Sequence, residues 1–231
     1  MKKILISAYY YFPHISGLTN SIKNLAEALV KVGHKVSVVA VQHEKNLALN
    51  EKIKDVDVVR IPYLFRAYKG FIMPRFLPIL FSQIWKSDFI LISLPQLEGV
   101  VVALIGKLLN KKVVSIYACE IKLSSTFFSK AIEAIFYCMH FVTLFLSDKI
   151  VTLSEDFARN SKLLDHFRNK IVCIYPCIKA PVIKRYFVNK TFDKKLYKIG
   201  FIGRISAEKG LEYLLKAIPY IKDRLAKNFT I

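Results

Sequence analysis

The seven-residue run Lys35–Val41 constrains the fold more than any other feature, because four of its residues are valine. Such a run is typical of a strand that is buried on both faces, as in parallel sheets. Another apolar run, Lys3–Ala8, precedes it, and Asn20–Val32 between them spaces apolar residues at i, i+3, i+4 and i+7 like a helix. Thr19 or Asn20 would cap this helix at its start. The order strand, helix, strand predicts a parallel βαβ unit.

The alternation of strands and helices continues to about residue 180. This pattern predicts a doubly wound α/β sheet, in which ligands bind at the carboxyl ends of the strands. The further predicted strands are 57–61, 89–93, 112–116, 149–153 and 170–175, and the further predicted helices are 100–109, 129–146 and 156–164.

A basic segment without periodicity, residues 181–198, follows and predicts a linker. The strand and helix pattern then restarts, with a strand at Ile199–Ile202 and helical spacing from Leu211 onward. Because a second α/β domain of this kind needs about 100 residues or more, we interpret residues 199–231 as its opening βα unit. The predicted organisation is an N-terminal domain at 1–180, a linker at 181–198 and an incomplete second domain at 199–231.

The charge balance is strongly basic, since 36 Lys and Arg oppose 17 Asp and Glu for a net charge of +19. A surplus of this size attracts nucleic acid, an anionic membrane or phosphorylated ligands. The mean hydropathy of +0.34 excludes a disordered chain, whose low hydrophobicity could not offset the entropy of ordering. The sequence lacks the aromatic and basic strand signatures of nucleic-acid-binding folds, so nucleic acid is the least favoured partner.

The protein is expected to be cytoplasmic, with the inner membrane face as a peripheral location. Tyr9–Tyr11 and Pro13 interrupt the apolar N-terminal run before it reaches the length of an export signal. We expect reduced core thiols rather than a metal site at the four cysteines, which lack paired metal-ligand spacing: Cys119, Cys138, Cys173 and Cys177.

A long apolar stretch, Ala131–Ser147, is interrupted by Glu133 and His140. It is shorter than the hydrophobic thickness of a bilayer requires. We interpret it as a buried or interfacial helix, with a core helix favoured over a membrane anchor.

The loop after the first strand, Tyr10–Thr19, runs into a helix N-terminus and contains His14, Ser16 and Gly17. Free amides and the positive end of the helix favour a phosphate or carboxylate ligand there. An equally weighted alternative is a plain turn in which Gly17 relieves backbone strain. The loop lacks the Gly-x-Gly-x-x-Gly spacing and the Walker lysine, which disfavours dinucleotide and P-loop sites.

Further candidate residues follow other predicted strands. In Gly203–Gly210, Arg204 and Lys209 would lie near a helix start, where a guanidinium and an ammonium can hold a diphosphate. The alternative is a solvated basic turn. In Tyr117–Glu120, the carboxylate of Glu120 is a candidate base, although a lone glutamate on a loop is more often simply solvated.

Six segments stand in a characteristic order and spacing over the whole chain, although each is weakly specific alone. They are Lys3–Ser7, Tyr11–Gly17, Leu25–Leu29, Val32–Val36, Val151–Glu155, and Gly203-Arg204 with Glu208-Lys209-Gly210. Together they resemble the family 4 ("group 1") glycosyltransferases.

This resemblance implies a GT-B fold, in which Rossmann-like domains face each other across a cleft. The acceptor would bind to the N-terminal domain and the nucleotide-sugar to the C-terminal one. Enzymes of the family act without a metal and transfer a sugar with retention of configuration, so no cofactor is expected. The pattern assigns Arg204, Lys209, Gly17 and Ser16 to the donor diphosphate and His14 and Tyr117 to the acceptor side, beside Glu120 as the candidate catalytic residue.

The sequence departs from the family at Ser16, which replaces a usual glycine, and in Tyr117–Glu120, where a histidine is common. The family's later Glu-x7-Glu donor motif falls outside this sequence. We therefore expect that the chain is truncated early in the donor domain.

The sequence thus predicts a glycosyltransferase that moves a sugar from a nucleotide-sugar to a glycan or lipid-linked acceptor, in cell-surface polysaccharide or glycolipid synthesis. Basic and aromatic residues between Phe65 and Arg75 would contact a lipid-linked acceptor at the membrane. The alternative is a truncated, non-catalytic homologue that binds the acceptor or a membrane surface.

Overall fold

The computed structural model describes residues 1–67, 70–121, 126–176, 197–203, 205–206, 209–225 and 229–230. The chain divides into the compact units Met1–Ala180 and Pro181–Ile231. In the first unit the strands are β1 (Lys3–Ser7), β2 (Lys35–Val41), β3 (Asn50–Ile53), β4 (Val56–Ile61), β5 (Phe65–Ala67), β6 (Gly70–Ile72), β7 (Phe89–Leu94), β8 (Lys112–Tyr117), β9 (Lys149–Thr152) and β10 (Ile171–Cys173). Its helices are α1 (Gly17–Lys31), α2 (Phe76–Trp85), α3 (Gly99–Leu108), α4 (Phe127–Leu146) and α5 (Glu155–Asn160), and a 3-10 helix covers Leu164–Lys170.

Within the described residues, eight strands form one sheet in the order β10-β9-β8-β7-β1-β2-β4-β3. Its paired strands are parallel except for β3, which runs antiparallel to β4. The strand β1 pairs with β2 on one side and with β7 on the other, so the strand order reverses at β1. The doubly wound α/β sheet expected from the sequence is confirmed, with a topological switch point beside β1.

Helices cover both faces of this sheet, because its central strands are apolar on both sides. On one face, α1 packs through Ile22 and Ala26. On the other face, α2, α3 and α4 pack through Leu80, Val102 and Leu144. This arrangement fixes the strand ends from which the loops of the candidate site emerge.

The start of α1 differs from its expected position. The helix begins at Gly17, and its N-cap is Ser16 rather than Thr19 or Asn20. The reason is that Ser16 has extended backbone dihedrals and its hydroxyl accepts a hydrogen bond from the Thr19 amide at 3.1 Å.

Other differences from the sequence-based expectations lie later in the chain. The helix expected at 156–164 ends at Asn160, since Ser161 has extended backbone dihedrals. The strand expected at Ile199–Ile202 is wrong, because β11 occupies Tyr197–Lys198, where it pairs in parallel with β12 (Phe229–Thr230). The second unit also contains α6, which spans Leu211–Leu225.

The sequence did not predict β3 or α2. The four residues Asn50–Ile53 are mostly polar, and Phe76–Trp85 is almost continuously apolar. Neither segment therefore shows the period of its element.

The expectation that the apolar stretch forms a core helix is wrong for most of its length. Large outward side chains within this stretch of α4 are exposed, among them Ile135, Val142 and Phe145. By length and composition α4 could cross a bilayer, but core helices of soluble proteins also meet that test. The residues that α4 buries are Ser129, His140, Thr143 and Leu144.

The helix α3 approaches the sheet closely at Gly106. A Cβ there would lie 2.6 Å from Ile90 Cδ1 and 3.0 Å from Val113 Cγ2, and both of these side chains are fully buried. We expect Gly106→Ala to lower the free energy of unfolding by about 2 kcal/mol, because overpacking outweighs the gain in helix propensity. Urea unfolding followed by far-UV circular dichroism measures the loss.

The matched control for this substitution is Gly17→Ala, since a Cβ at Gly17 meets nothing within 4 Å. Its unfolding midpoint should stay close to that of the unmodified chain. Equal midpoints for Gly106→Ala and the control would contradict the close approach of α3 to the sheet.

Candidate functional site

A buried polar pair closes the switch point between β1 and β7. Ser7 ends β1 and Gln96 follows β7, and both side chains are buried. The Gln96 side-chain nitrogen donates hydrogen bonds to the carbonyl and the hydroxyl of Ser7, each at 3.2 Å. This pair joins the loops after β1 and β7 at the carboxyl edge of the sheet, where doubly wound proteins bind their ligands.

The loop after β1 enters α1 through a group of short hydrogen bonds. The hydroxyl oxygens of Ser16 and Thr19 are 2.8 Å apart, and His14 Nδ1 lies 3.4 Å from Thr19 Oγ1. Space beside Gly17 is open, and its φ lies outside the left-handed region. The glycine therefore leaves the helix N-terminus accessible, and the alternative in which it relieves backbone strain is not supported.

A buried arginine that the sequence reasoning missed anchors this loop. Arg60 in β4 is 1% exposed. Its Nη2 donates to the Phe12 carbonyl at 2.8 Å, its Nη1 donates to the Ala48 carbonyl at 2.8 Å, and the guanidinium pairs with Glu51 of β3. Side chains alternate between the two faces of a strand, so Arg60 lies on the same face of β4 as the buried Val58. This two-residue spacing is the sequence signal that could have predicted its burial.

We expect Arg60→Met to lower the free energy of unfolding by about 3 kcal/mol, because it leaves two carbonyls and a carboxylate without their donor. Glu51→Gln is the milder comparison and should cost less than Arg60→Met, since its amide oxygen can still accept from Arg60 although the guanidinium loses its opposite charge. Urea unfolding compares both with the unmodified chain. If Arg60→Met unfolds at the same midpoint as Glu51→Gln, the anchoring role is wrong.

Aromatic and imidazole rings lie beside the same loop. Tyr10 and His14 stack with their centroids 4.3 Å apart, and His14 meets His43 edge to face at 5.5 Å. Burial is the main cause that lowers the pKa of His43, so its imidazole is neutral at pH 7. The ring of His14 is thus held at the carboxyl edge, where it can accept or donate a hydrogen bond.

A cleft of about 690 Å³ opens at the N-terminus of α1. Gly17, Asn20 and Lys23 line it from α1, and Cys119 lines it from the loop after β8. The volume falls within the range of about 300–1,000 Å³ that is usual for small-molecule sites. Lys23 Nζ lies 3.7 Å from Glu27 Oε1, and this carboxylate offsets the lysine's charge. The amides and the positive end of α1 therefore supply much of the attraction for an anion.

Another cleft, of about 650 Å³, lies between the end of β8 and the helices α4 and α5. Tyr117 and Glu120 line it, and the Ser161 hydroxyl donates to Glu120 Oε1 at 2.7 Å. The ring of Tyr117 is buried 5.8 Å from that of His140, and desolvation raises the pKa of Tyr117. Glu120 remains exposed at the cleft, with one oxygen oriented by Ser161.

His140 is buried in α4, and its Nε2 has no hydrogen-bond partner among the described residues. Desolvation lowers the pKa of His140 from 6.5 to about 4. The unfolded histidine therefore takes up a proton at a higher pH than the folded one. The free energy of unfolding is therefore unaffected by His140 protonation above about pH 6.5. It falls as the pH drops from about 6.5 toward about 4, because the unfolded state binds the proton first.

We expect His140→Phe to remove up to about 3 kcal/mol of the acid-dependent loss of stability between about pH 6.5 and 4. The replacement keeps an aromatic ring beside Tyr117 and Phe136. Urea unfolding at a series of pH values measures the slope. An unchanged slope for His140→Phe would contradict the assignment.

The residues assigned from the sequence within the first unit fall into separate groups. His14, Ser16 and Gly17 lie between β1 and the start of α1, whereas Tyr117 ends β8 and Glu120 lies in the loop after it. Of these residues, Gly17 lines the cleft beside α1, which Cys119 of the loop after β8 also lines, whereas Tyr117 and Glu120 line the cleft between β8, α4 and α5. The roles of these residues in binding and catalysis stay predictions.

The remaining assigned residues belong to the second unit. Lys209 is exposed, and its amide donates to the Ser206 carbonyl at 2.9 Å. Arg204 lies outside the described residues. In the part of the chain that the structure describes, no three His, Cys, Asp or Glu residues cluster as a metal site would require. The expected independence of a metal stays a prediction.

The expectation of core thiols is wrong for the cysteines on exposed elements. Cys119 lies in the loop after β8 and Cys138 on the outward side of α4, and both are exposed. Cys173 is half-buried. Cys177 lies outside the described residues.

The fold of the described residues is similar to that of solved glycosyltransferases. Sucrose-phosphate synthase from Thermosynechococcus elongatus matches with a TM-score of 0.61 at 17% identity, over 96% of this chain and 60% of that one. The catalytic domain of starch synthase IV from Arabidopsis thaliana, bound to ADP and acarbose, matches with a TM-score of 0.60 at 14% identity. The match covers 99% of this chain and 67% of that one. The fold is therefore that of the GT-B glycosyltransferases.

Sequence comparison defines the family more narrowly. Residues 15–180 match the model of Glycosyltransferase Family 4. An uncharacterized glycosyltransferase from Methanocaldococcus jannaschii is 25% identical over 96% of this chain and 60% of its own length. The chain belongs to glycosyltransferase family 4, and it spans about 60% of the length of that relative.

Proposed function

We propose that the protein takes part in transfer of a sugar from a nucleotide-sugar to a glycan or lipid-linked acceptor. The observation that carries the proposal is the open cleft at the N-terminus of α1, in a chain of this family. A helix N-terminus favours a negatively charged group through its free amides and its dipole. The diphosphate of a nucleotide-sugar is such a group.

The donor side of the proposed reaction uses Ser16 and Gly17 with Arg204 and Lys209. During transfer the nucleotide leaves with an additional negative charge on its diphosphate. A guanidinium and an ammonium would stabilise that charge more strongly in the transition state than in the ground state. The sugar would keep its anomeric configuration, and no metal would be needed.

The acceptor side of the proposed reaction uses His14, Tyr117 and Glu120. A hydroxyl nucleophile is activated by a base within hydrogen-bond reach. Glu120 offers an exposed carboxylate oriented by Ser161, which supports its role as that base. The stacked ring of His14 supports a role in holding an acceptor hydroxyl.

The proposed location is cytoplasmic and peripheral at the inner membrane face, in the synthesis of a cell-surface polysaccharide or glycolipid. The net charge of +19 supports contact with an anionic surface. A second candidate function is that of a non-catalytic homologue that binds an acceptor or a membrane. The exposed apolar residues of α4 favour that candidate as much as they favour an enzyme with a lipid-linked acceptor.

A transfer assay separates these functions. The full chain is incubated with a panel of radiolabelled nucleotide-sugars and with lipid extract or glycans from its native cells. Labelled lipid or glycan is the outcome expected for the transferase. Binding of the extract without any labelled product would favour the non-catalytic homologue.

The cleft itself is tested by Gly17→Leu. Because a Cβ at Gly17 meets nothing within 4 Å and the residue lines the open cleft, the variant should fold while its side chain extends into the ligand space. We expect it to weaken binding of a nucleoside diphosphate by about tenfold or more, measured by isothermal titration calorimetry with ADP, UDP and GDP.

Gly17→Ala is the control for this experiment, since it adds a single carbon and should bind nearly as well as the unmodified chain. Unfolding curves verify that both variants are folded. Equal affinities for Gly17→Leu and Gly17→Ala would place the diphosphate elsewhere.

A further inference from the structure

We propose that the outer side of α2, α3 and α4 is a docking surface for an anionic lipid bilayer. The surface consists of large apolar side chains that the fold leaves exposed. These residues, called the apolar face below, are Phe81, Trp85, Leu104, Leu108, Val142 and Phe145.

The apolar face extends over neighbouring helices. The helix α3 contacts both α2 and α4, and the inner sides of these helices pack on the sheet. In each helix the two members of the apolar face are three or four residues apart, so they lie on one side of that helix. Trp85, Leu108 and Phe145 are 64%, 76% and 63% exposed. Monomeric soluble proteins rarely expose an apolar patch that continues across several elements.

Lysines border the apolar face where its helices end. Lys111 Nζ donates to the Trp85 carbonyl at 3.2 Å, and Lys86 directly follows Trp85 in the chain. Lys170 Nζ donates to the Phe145 carbonyl at 2.7 Å and lies 5.5 Å from the centre of the Phe145 ring. Aromatic rings beside lysines are typical of membrane interfaces, where the ring lies among the headgroups and the ammonium contacts phosphate.

The positive charge around the apolar face favours an anionic bilayer over a second copy of the chain as the binding partner. At this end Asp148 is paired with Lys107 at 2.6 Å, whereas Asp88 accepts from the Lys3 backbone amide at 2.8 Å and keeps its charge. The lysines that border the apolar face, Lys86, Lys111 and Lys170, outnumber that remaining carboxylate. A lysine surplus therefore remains around the apolar face. A second copy of the chain would bring like charges together, whereas an anionic bilayer neutralises them.

The bilayer contact runs along α4 rather than through it. Lys130 and Glu133 are charged residues within α4, and Thr143 and Leu144 bury its inner side against the rest of the unit. Moving the charged side chains of Lys130 and Glu133 into the hydrocarbon core would carry a high free-energy cost. The docking surface rests on the proposed function, because a lipid-linked acceptor requires the protein to be held at a membrane. The surface lies beside the ends of α2, α3 and α4, at the amino edge of the sheet, so it would attach the protein to the bilayer rather than bind the acceptor itself.

The test measures co-sedimentation of the full chain with vesicles, without any sugar donor. Vesicles of phosphatidylcholine with phosphatidylglycerol should bind the chain, and vesicles of phosphatidylcholine alone should bind it at least about tenfold more weakly. The triple variant Trp85→Ser/Leu108→Ser/Phe145→Ser should lower binding to anionic vesicles by about tenfold or more. Val32→Ser, at a 69% exposed valine after α1 on the opposite face, is the control for loss of an exposed apolar side chain and should bind normally.

A matched pair of charge variants tests the lysine border. Lys86→Gln/Lys111→Gln should weaken binding to anionic vesicles by about tenfold, whereas Lys31→Gln/Lys35→Gln, near the end of α1, should change it much less. Circular dichroism verifies the fold of each variant. Vesicle binding that fails while sugar transfer is observed would overturn this docking surface and leave the proposed reaction standing.

Other outcomes would overturn the proposal in favour of a different occupant. Binding that resists both high salt and alkaline washing would indicate a spanning helix. A chain that ignores vesicles but forms dimers, and becomes monomeric in the triple variant, would assign the apolar face to a second copy. Equal binding by the triple variant and the unmodified chain would place the membrane contact on another surface.

Discussion

The central constraint on the first unit is that its parallel strands bury apolar side chains on both faces. Such strands are stable when helices cover each side, and here α1 covers one face while α2, α3 and α4 cover the other. Parallel strands joined by helices all end at the same edge, so the loops that follow them meet there. The buried pair of Ser7 and Gln96 then fixes the loops next to the switch point. The position of the clefts is thus a consequence of how the core is covered.

Much of this architecture could be predicted from local patterns. The valine-rich run Lys35–Val41 is β2 from its first residue to its last, because five of its seven residues are apolar and most of them are buried between the helix layers. The edge strand β3 could not be predicted, since Asn50–Ile53 is polar and is held by pairing with β4. The burial of Arg60 depends on carbonyls of Phe12 and Ala48, which are distant in sequence.

The candidate site was predictable in its residues but not in their grouping. Spacing and family resemblance identified His14 and Gly17 after β1, as well as Tyr117 at the end of β8 and Glu120 in the loop after it. Only the strand order shows that β7 separates these groups. His140 was seen in the sequence as an interruption of an apolar stretch, whereas in the fold it is a buried neighbour of Tyr117. Contacts between a helix and a strand end require the tertiary structure.

The position of Trp85 has a practical consequence. It is the single tryptophan of the sequence, and it ends α2 with most of its indole in contact with water. Phe81 stacks near it with ring centroids 6.1 Å apart, on the same side of the helix. The intrinsic fluorescence of the protein therefore comes from one indole at one surface, and its emission wavelength and quenching by solutes report the polarity of that surface alone. The chain carries its own optical probe, and no label has to be introduced.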